Sequence, residues 1–291
     1  MTTSPGPVPE LPGGAPAEGE PDSHVTRLFL GVLTDVRLTA PDTRQAAAYR
    51  ERARAWLARS VPAAAEPRCV HATTKSAVFR AATADGDRAV KVFDDLPAFR
   101  RELLNARLLR HDASCVRLLA WNRAEAVLEY EWLPEVGLPA RPEDYLRHLA
   151  RVHTAAHRLP HSVTAIVRSL AERAPATVAR GTGTGMPGCA VLDLKAGHCG
   201  RRADGRGLVQ LDLESLVFGA DVLLDVAGAA SMLGLAADRQ AWHGCLRAYQ
   251  EESRAHGIHW RWEQLAGLPL TGRPEHGPAD SPVPSAAEVP L

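Results

Sequence analysis

Three lysines stand among thirty-one arginines in this 291-residue chain. They are Lys75 in Thr-Thr-Lys-Ser, Lys91 in Ala-Val-Lys-Val-Phe and Lys195 in Leu-Asp-Leu-Lys-Ala-Gly-His. An ammonium is a compact charge that meets a phosphate oxygen from many angles, whereas a guanidinium demands a planar, forked partner. Lysine kept at three places in an arginine-writing chain points to nucleotide phosphates. Carboxylates follow in an order that fits. Glu102 lies on the helix expected after the strand of Lys91, and Asp193 and Asp212 follow at the ends of two neighbouring strands. Phosphoryl transfer asks a protein for few parts: a cation on the phosphates, carboxylates for Mg²⁺ and a carboxylate aligning the acceptor hydroxyl. Lys91 held by Glu102 supplies the first. Asp193, opening Asp-Leu-Lys-Ala-Gly-His, would take or orient the acceptor proton, and Asp212, closing Gly-Leu-Val-Gln-Leu-Asp, would hold Mg²⁺ through oxygen. Taken singly, each aspartate reads as an ordinary turn residue and Glu102 as part of a solvated helix face; the order of all four carries the argument.

The elements that must position these groups are legible in outline. Residues 42 to 60 predict a helix capped by Asp42, with Ala47, Tyr49, Ala53, Trp56 and Leu57 near helical spacing. Short strands are expected at Cys69–His71, Ala77–Ala82 and Arg88–Phe93, the last two joined across an Asp85-Gly86-Asp87 turn. A helix is expected at Leu96–Arg110, then strands at Val116–Asn122 and Ala126–Tyr130. Beyond Pro134 the pattern turns helical, over Glu143–His157, 161–180, Val222–Leu233 and Arg239–Arg254, with Trp260 and Trp262 packed just after. Strands at Val191–His198 and Leu208–Asp212 would flank a hairpin turning at Asp204–Gly207.

Composition narrows the class. The formal net charge is zero, which gives no electrostatic case for nucleic acid or an anionic membrane. Five scattered cysteines without CxxC spacing predict free thiols in a reducing, cytoplasmic compartment. No apolar run approaches a membrane span, and Met1–Ser23 lacks the apolar stretch of a signal peptide. That stretch and the one from Thr271 onward are Pro/Gly-rich and are expected to be disordered tails. The expected division is therefore 1–23 tail, 24–133 helix plus sheet, 134–270 helical portion with the catalytic and metal loops, and 271–291 tail.

From roughly Cys69 to Tyr249 the chain resembles the aminoglycoside phosphotransferase and choline-kinase-like branch of the protein-kinase-like fold. The β-β-β-α-β-β order is similar to a kinase N-terminal lobe. Lys91 and Glu102 resemble the ATP-phosphate lysine and its helix partner, and Asp193 falls at the catalytic aspartate of an Asp-x-x-x-x-Asn motif. Asp212, followed by Leu213-Glu214, resembles the metal-binding aspartate of an Ile-Asp-x-Glu segment, and the stretch Gly219–Ala227 resembles the one that follows it, with Asp225 structural. Leu128–Leu133 resembles the hinge whose backbone holds adenine, which brings in Glu129 and Glu131. Lys195 resembles the protein-kinase lysine that neutralises the transferring phosphoryl group. The resemblance implies an α+β, two-lobed fold, ATP and Mg²⁺ as cofactors, and a small-molecule, natural-product or peptide hydroxyl as acceptor.

The departures are specific. The loop Ala72–Ala77 has no glycine, so Thr73, Thr74, Lys75 and Ser76 are the residues left to cradle phosphates. Val191 stands where a histidine is usual, and His198 where the family has its Mg²⁺-binding asparagine. Neutral imidazole is a poorer Mg²⁺ ligand than an oxygen. His198 therefore reads as a metal ligand, a phosphate contact or a packed loop residue. These departures support the competing reading, a pseudokinase that binds nucleotide or serves as a scaffold. Two other patterns are set aside: Gly181–Gly185 follows a helical stretch instead of a strand and reads as a linker, and His148, His153 and His157 have no carboxylate ligand set around them.

Overall fold

The computed structural model describes residues 40–61, 65–171, 188–205 and 207–268, all within the compact unit Leu38–Leu291. The expected tails, the second half of the helix predicted at 161–180 and the Gly181–Gly185 run lie outside them.

Helix α1 (Thr43–Ser60) starts where the Asp42 carboxylate accepts the Gln45 N–H at 2.7 Å, a side-chain cap on an otherwise orphan donor. Its stripe of Tyr49, Ala53, Trp56 and Leu57 is buried. Five strands follow: β1 (Arg68–Ala72), β2 (Ser76–Ala81), β3 (Arg88–Phe93), β4 (Leu118–Asn122) and β5 (Val127–Glu131), paired antiparallel in the order β1-β2-β3-β5-β4. Strand alternation divides their side chains between two faces. Ala77, Phe79, Ala81, Val90, Val92 and Val127 pack against α1. Leu128 and Tyr130 point the other way, into the core shared with α2 (Leu96–Leu108) and the helical portion. The Asp95 carboxylate caps α2 by accepting the Ala98 N–H at 2.9 Å.

The remaining elements are β6 (Glu135–Val136), α3 (Pro142–His153), α4 (His161–Ala171), β7 (Cys189–Ala190), β8 (Cys199–Arg201), β9 (Leu208–Gln210), β10 (Val217–Phe218), α5 (Val222–Met232), α6 (Arg239–Ala255) and α7 (Trp262–Ala266). Tyr145, Leu146, Leu149 and Val152 of α3 share one core with Trp242, Cys245, Leu246 and Tyr249 of α6. Trp260 and Trp262 pack against that core, as expected. Strands β6, β8 and β9 form a small sheet in that order. At Gly200 the backbones of β8 and β6 run so close that a Cβ would lie 2.7 Å from the Glu135 carbonyl oxygen.

One expected strand is absent. Val191–His198 is not extended throughout: β7 ends at Ala190, Leu192 takes φ 60°, and Ala196–His198 is a turn of 3₁₀ helix. The hairpin itself exists, but its first strand begins at Cys199, after the segment that carries Asp193. The architecture is α+β, a five-stranded antiparallel sheet with one intervening helix, followed by a mostly helical portion. No helix among the described residues is long and apolar enough to cross a membrane.

Candidate active site

Lys91 lies at the centre. Its Nζ is 2.6 Å from Glu102 Oε2 and 3.3 Å from Asp212 Oδ1. Strand β3 aims Lys91 away from the α1 face, and α2 presents Glu102, fully buried, from behind it. Tyr130 donates to the other Glu102 oxygen at 2.9 Å, so both oxygens of this buried carboxylate are satisfied. Burial alone would lower the Lys91 pKa, but the charges of Glu102 and Asp212 outweigh it and raise it. Burial pushes Glu102 up, against the pull of Lys91. Asp212 is half-buried; desolvation would raise its pKa, but Lys91 and then His198 hold its carboxyl below the ordinary value, so it stays an anion.

Asp193 sits on a turn built from behind by α5. The Asp225 carboxylate, 2% exposed, accepts the backbone N–H of Val191 at 2.5 Å and of Leu192 at 2.9 Å. Those bonds hold Leu192 in the left-handed region, a conformation costly for a branched side chain, and the residue after it is Asp193. Asp225 is itself 3.0 Å from His153 Nε2, whose Nδ1 is 2.8 Å from the Tyr249 hydroxyl. A fully buried polar chain thus runs from α6 through α3 and α5 to the turn. Lys195 Nζ is 2.7 Å from Asp193 Oδ2. His198 Nδ1 lies 3.0 Å from the Asp193 carbonyl oxygen, a contact that needs a proton on that nitrogen. In this arrangement the Nδ1 of His198 braces the turn and has no lone pair left for a cation, while Nε2 keeps its own.

The β1–β2 loop is folded by its own hydroxyl. Thr73 Oγ1 accepts the N–H groups of Lys75 and Ser76 at 3.2 and 3.3 Å and lies 3.2 Å from the Ser76 carbonyl oxygen. The Thr74 carbonyl is held from α1, by Gln45 Nε2 at 2.8 Å and the Tyr49 hydroxyl at 3.1 Å. Ser76 is buried at the start of β2. Lys75 is the part of this loop that reaches across the site: its Nζ is 2.5 Å from Glu214 Oε1, which also accepts from Arg101 at 2.7 Å. All three lysines therefore end on carboxylates of this one region.

Glu129 and Glu131 sit elsewhere. Glu129 pairs with Val90 on β3, so its side chain shares the α1 face, where it accepts the Trp56 indole N–H at 2.9 Å. Glu131 accepts from Arg202 at 2.7 Å and from the Arg117 N–H at 2.8 Å. Neither carboxylate joins the Lys91 group. Sequence reading missed three positioning residues. His153 was set aside with its helical neighbours. Asn105, one turn after Glu102, donates to the carbonyls of Leu213 and Leu216 at 2.8 and 3.0 Å and so fixes the loop that carries Asp212. Arg202 ties Glu131 to the carbonyls of Ala113 and Cys115. Only the helical register of Asn105 behind Glu102 was a usable signal. His148, by contrast, is buried in the core, and burial lowers it to about 3.

Whether the residues present suit Mg²⁺ can be judged from the donor set. Ligand atoms of Asp193, His198 and Asp212 lie within 4.8 Å of one another, and so do those of Glu102, Asp212 and Glu214. Asp212 belongs to both groups and remains charged, which suits a hard cation that takes oxygen. The oxygens of Asp212 and Asp193 fit; the Nδ1 of His198, turned to a carbonyl, does not.

No protein-family model matches the chain, and no curated protein matches it in sequence. Solved structures do match. A choline kinase from Cryptosporidium parvum Iowa II superposes with a TM-score of 0.52 over 75% of this chain and 82% of its own, at 7% identity. A macrolide 2'-phosphotransferase from Brachybacterium faecium gives 0.44 at 16% identity, over 83% and 87% of the two chains. A choline kinase from Streptococcus pneumoniae gives 0.44 at 16%, over 65% and 74%. The likeness to the Cryptosporidium structure establishes the fold: the chain has the two-lobed, protein-kinase-like architecture that the sequence led us to expect.

Proposed function

We propose that the protein is an ATP-dependent phosphotransferase that moves the terminal phosphoryl group of a Mg²⁺-bound nucleotide to a hydroxyl of a small molecule, natural product or peptide. The observation that carries the reading is the meeting of two loop carboxylates, Asp193 and Asp212, within 4.8 Å, with Lys91 in contact with one of them. A scaffold needs neither carboxylate. The fold shared with a choline kinase supports the same reaction class.

The chain's own groups divide the work. Lys91, held by Glu102, binds the inner phosphates, and Lys75 and Lys195 exchange their carboxylate partners for the outer ones. Thr73 shapes the loop instead of touching phosphate, since its hydroxyl is already engaged. The backbone after β5 receives the base. Asp212 would hold Mg²⁺, which when bound would supply charge neutralisation on the transferring group. Asp193 aligns the acceptor hydroxyl and takes its proton as the new O–P bond forms. The turn that positions it is set in advance by Asp225, so little reorganisation is left for the reaction.

The acceptor side carries many arginines, among them Arg147, Arg151 and Arg247, with Asp144 and Glu252 beside them. That balance disfavours a polycationic acceptor and favours a neutral or anionic one. The deciding experiment is a thermal-melt series with ATP, with and without Mg²⁺, on the parent and Asp212→Asn. A ligand that binds only the folded state adds about 2.7 kcal/mol of stability at a hundredfold excess over Kd. The expected result is a Mg²⁺-dependent rise in melting temperature that Asp212→Asn loses. No rise at millimolar nucleotide would replace this reading with the scaffold one. Transfer to an identified acceptor should then fall by three or more orders of magnitude, roughly, in Asp193→Asn.

A further inference from the structure

Strand β1 contains one irregularity, and it decides where a histidine points. Cys69 pairs with Phe79, but His71, two residues on, pairs with Val78, the very next residue back along β2. Val70 is the extra residue of a β-bulge and is left exposed. In a regular antiparallel ladder Val70 would oppose Val78, and His71 would oppose Ala77 on the face buried under α1. The bulge reverses this. Cys69 and Ala72 pack on the α1 side, while His71 turns to the opposite face. Bulges beside functional sites characteristically re-aim a side chain in this way.

The face His71 joins is the one that carries Lys91. Val78 pairs with His71 on one side and with Lys91 on the other, so the three form a single cross-strand row. At the usual strand spacing the His71 and Lys91 backbones lie about 10 Å apart, a span comparable to a nucleotide's phosphate chain. His71 is exposed to water, and no hydrogen-bond partner ties its ring to another protein group among the described residues.

We propose that His71 is a further nucleotide-binding residue, a donor to the outer phosphates from the roof of the cleft, and that it takes up a proton as the nucleotide binds. This rests on the proposed function. The groups that act on its ring come from every side of the cleft: Lys91 from β3, Lys195 and His198 from the catalytic turn, and Asp212 from the metal loop; its neighbour on β2 is the apolar Val78. Partial desolvation of the ring on its cleft side, then the three cationic or ionisable groups, favour the neutral ring, and Asp212 alone opposes them. A polyphosphate placed among these groups reverses the sign of the local field, and the imidazolium then becomes the favoured form.

The test is calorimetric titration of a non-hydrolysable ATP analogue with Mg²⁺ at pH 7.5, in two buffers of different ionisation enthalpy, on the parent, His71→Gln and His71→Lys. The parent is expected to take up a fraction of a proton. His71→Gln should lose that uptake and bind about tenfold more weakly. His71→Lys, with a permanent cation, should keep the affinity and lose the uptake. AMP, which lacks the outer phosphates, should bind parent and His71→Gln equally. If the parent binds no Mg²⁺-nucleotide, the functional reading beneath the inference falls. If the parent binds and His71→Gln matches it in affinity and proton uptake, His71 has no such role and the functional reading stands. An equal loss for AMP and for the triphosphate analogue would overturn the phosphate assignment.

Discussion

Lys91 serves two carboxylates with one ammonium, and that ratio governs what its loss does. Glu102 is fully buried, with the Tyr130 hydroxyl on one oxygen and Lys91 on the other. Replacing Lys91 by methionine keeps the volume and leaves Glu102 without a counter-charge beside Asp212. Breaking a buried pair from one side costs about 3 kcal/mol. The cost depends on pH in a definite direction. Burial raises the Glu102 pKa from 4.5, so the folded chain retains a proton that the unfolded chain has released. Stability that depends on this proton is present at low pH and is lost as pH climbs through the folded value. Lys91→Met should therefore be less stable than the parent in urea at pH 8, and recover much of the difference at pH 5. Adding Glu102→Leu should restore stability at pH 8 and remove the pH dependence of the defect. A deficit unchanged between the two pH values would mean that lost packing, not an unpaired charge, is responsible.

At the scale of elements, the site is made by helices reaching loops that do not belong to them. Helix α2 supplies Glu102 to Lys91 and, one turn on, Asn105 to the carbonyls of Leu213 and Leu216. Asn105→Leu has nearly the same size and leaves both carbonyls unpaired in a buried place, at a cost of about 2 kcal/mol. The loop it releases carries Asp212, so the Mg²⁺-dependent part of the nucleotide-induced melting shift should shrink while the Mg²⁺-independent part persists. Loss of both parts together would assign Asn105 to general packing. The same long-range logic explains what could be read beforehand. The strands through β5 and the helices α1, α2, α5 and α6 follow local alternation, helical spacing and side-chain caps, so their existence and approximate bounds were legible. Val191–His198 was not, because its shape comes from the Asp225 carboxylate, more than thirty residues later, acting with His153. Lys91, Glu102, Asp193 and Asp212 were legible by order and spacing. The partners that aim them were not, since asparagine on a helix face or histidine in an amphipathic pattern carries no sign of what it will touch.

At the scale of the described chain, ion pairs span the proposed nucleotide site, and under the proposed function a nucleotide would displace them. Lys75 comes from the sheet, and Glu214 from a loop 139 residues later, beside Asp212. Glu214 is 10% exposed and holds Lys75 and Arg101 together, so the pair is partly shielded from solvent screening. A polyphosphate entering without Mg²⁺ competes with Glu214 for both cations and is repelled by Glu214 itself. Removing that one charge through Glu214→Gln leaves Lys75 and Arg101 free to meet phosphate. Mg²⁺-free ATP should then bind about tenfold more tightly, the equivalent of about 1.4 kcal/mol. The gain should shrink as salt is raised from low to physiological strength. Lys75→Met supplies the opposite control, since it removes the competitor's partner and the phosphate's partner together and should weaken binding. Titration of ATP in the presence of EDTA at two ionic strengths reads both variants. Unchanged affinity in Glu214→Gln would mean that Lys75 stays with other partners and that the contact is a structural strap. Tightening in Glu214→Gln with weakening in Lys75→Met would make the ion pair the resting state of a phosphate-binding loop.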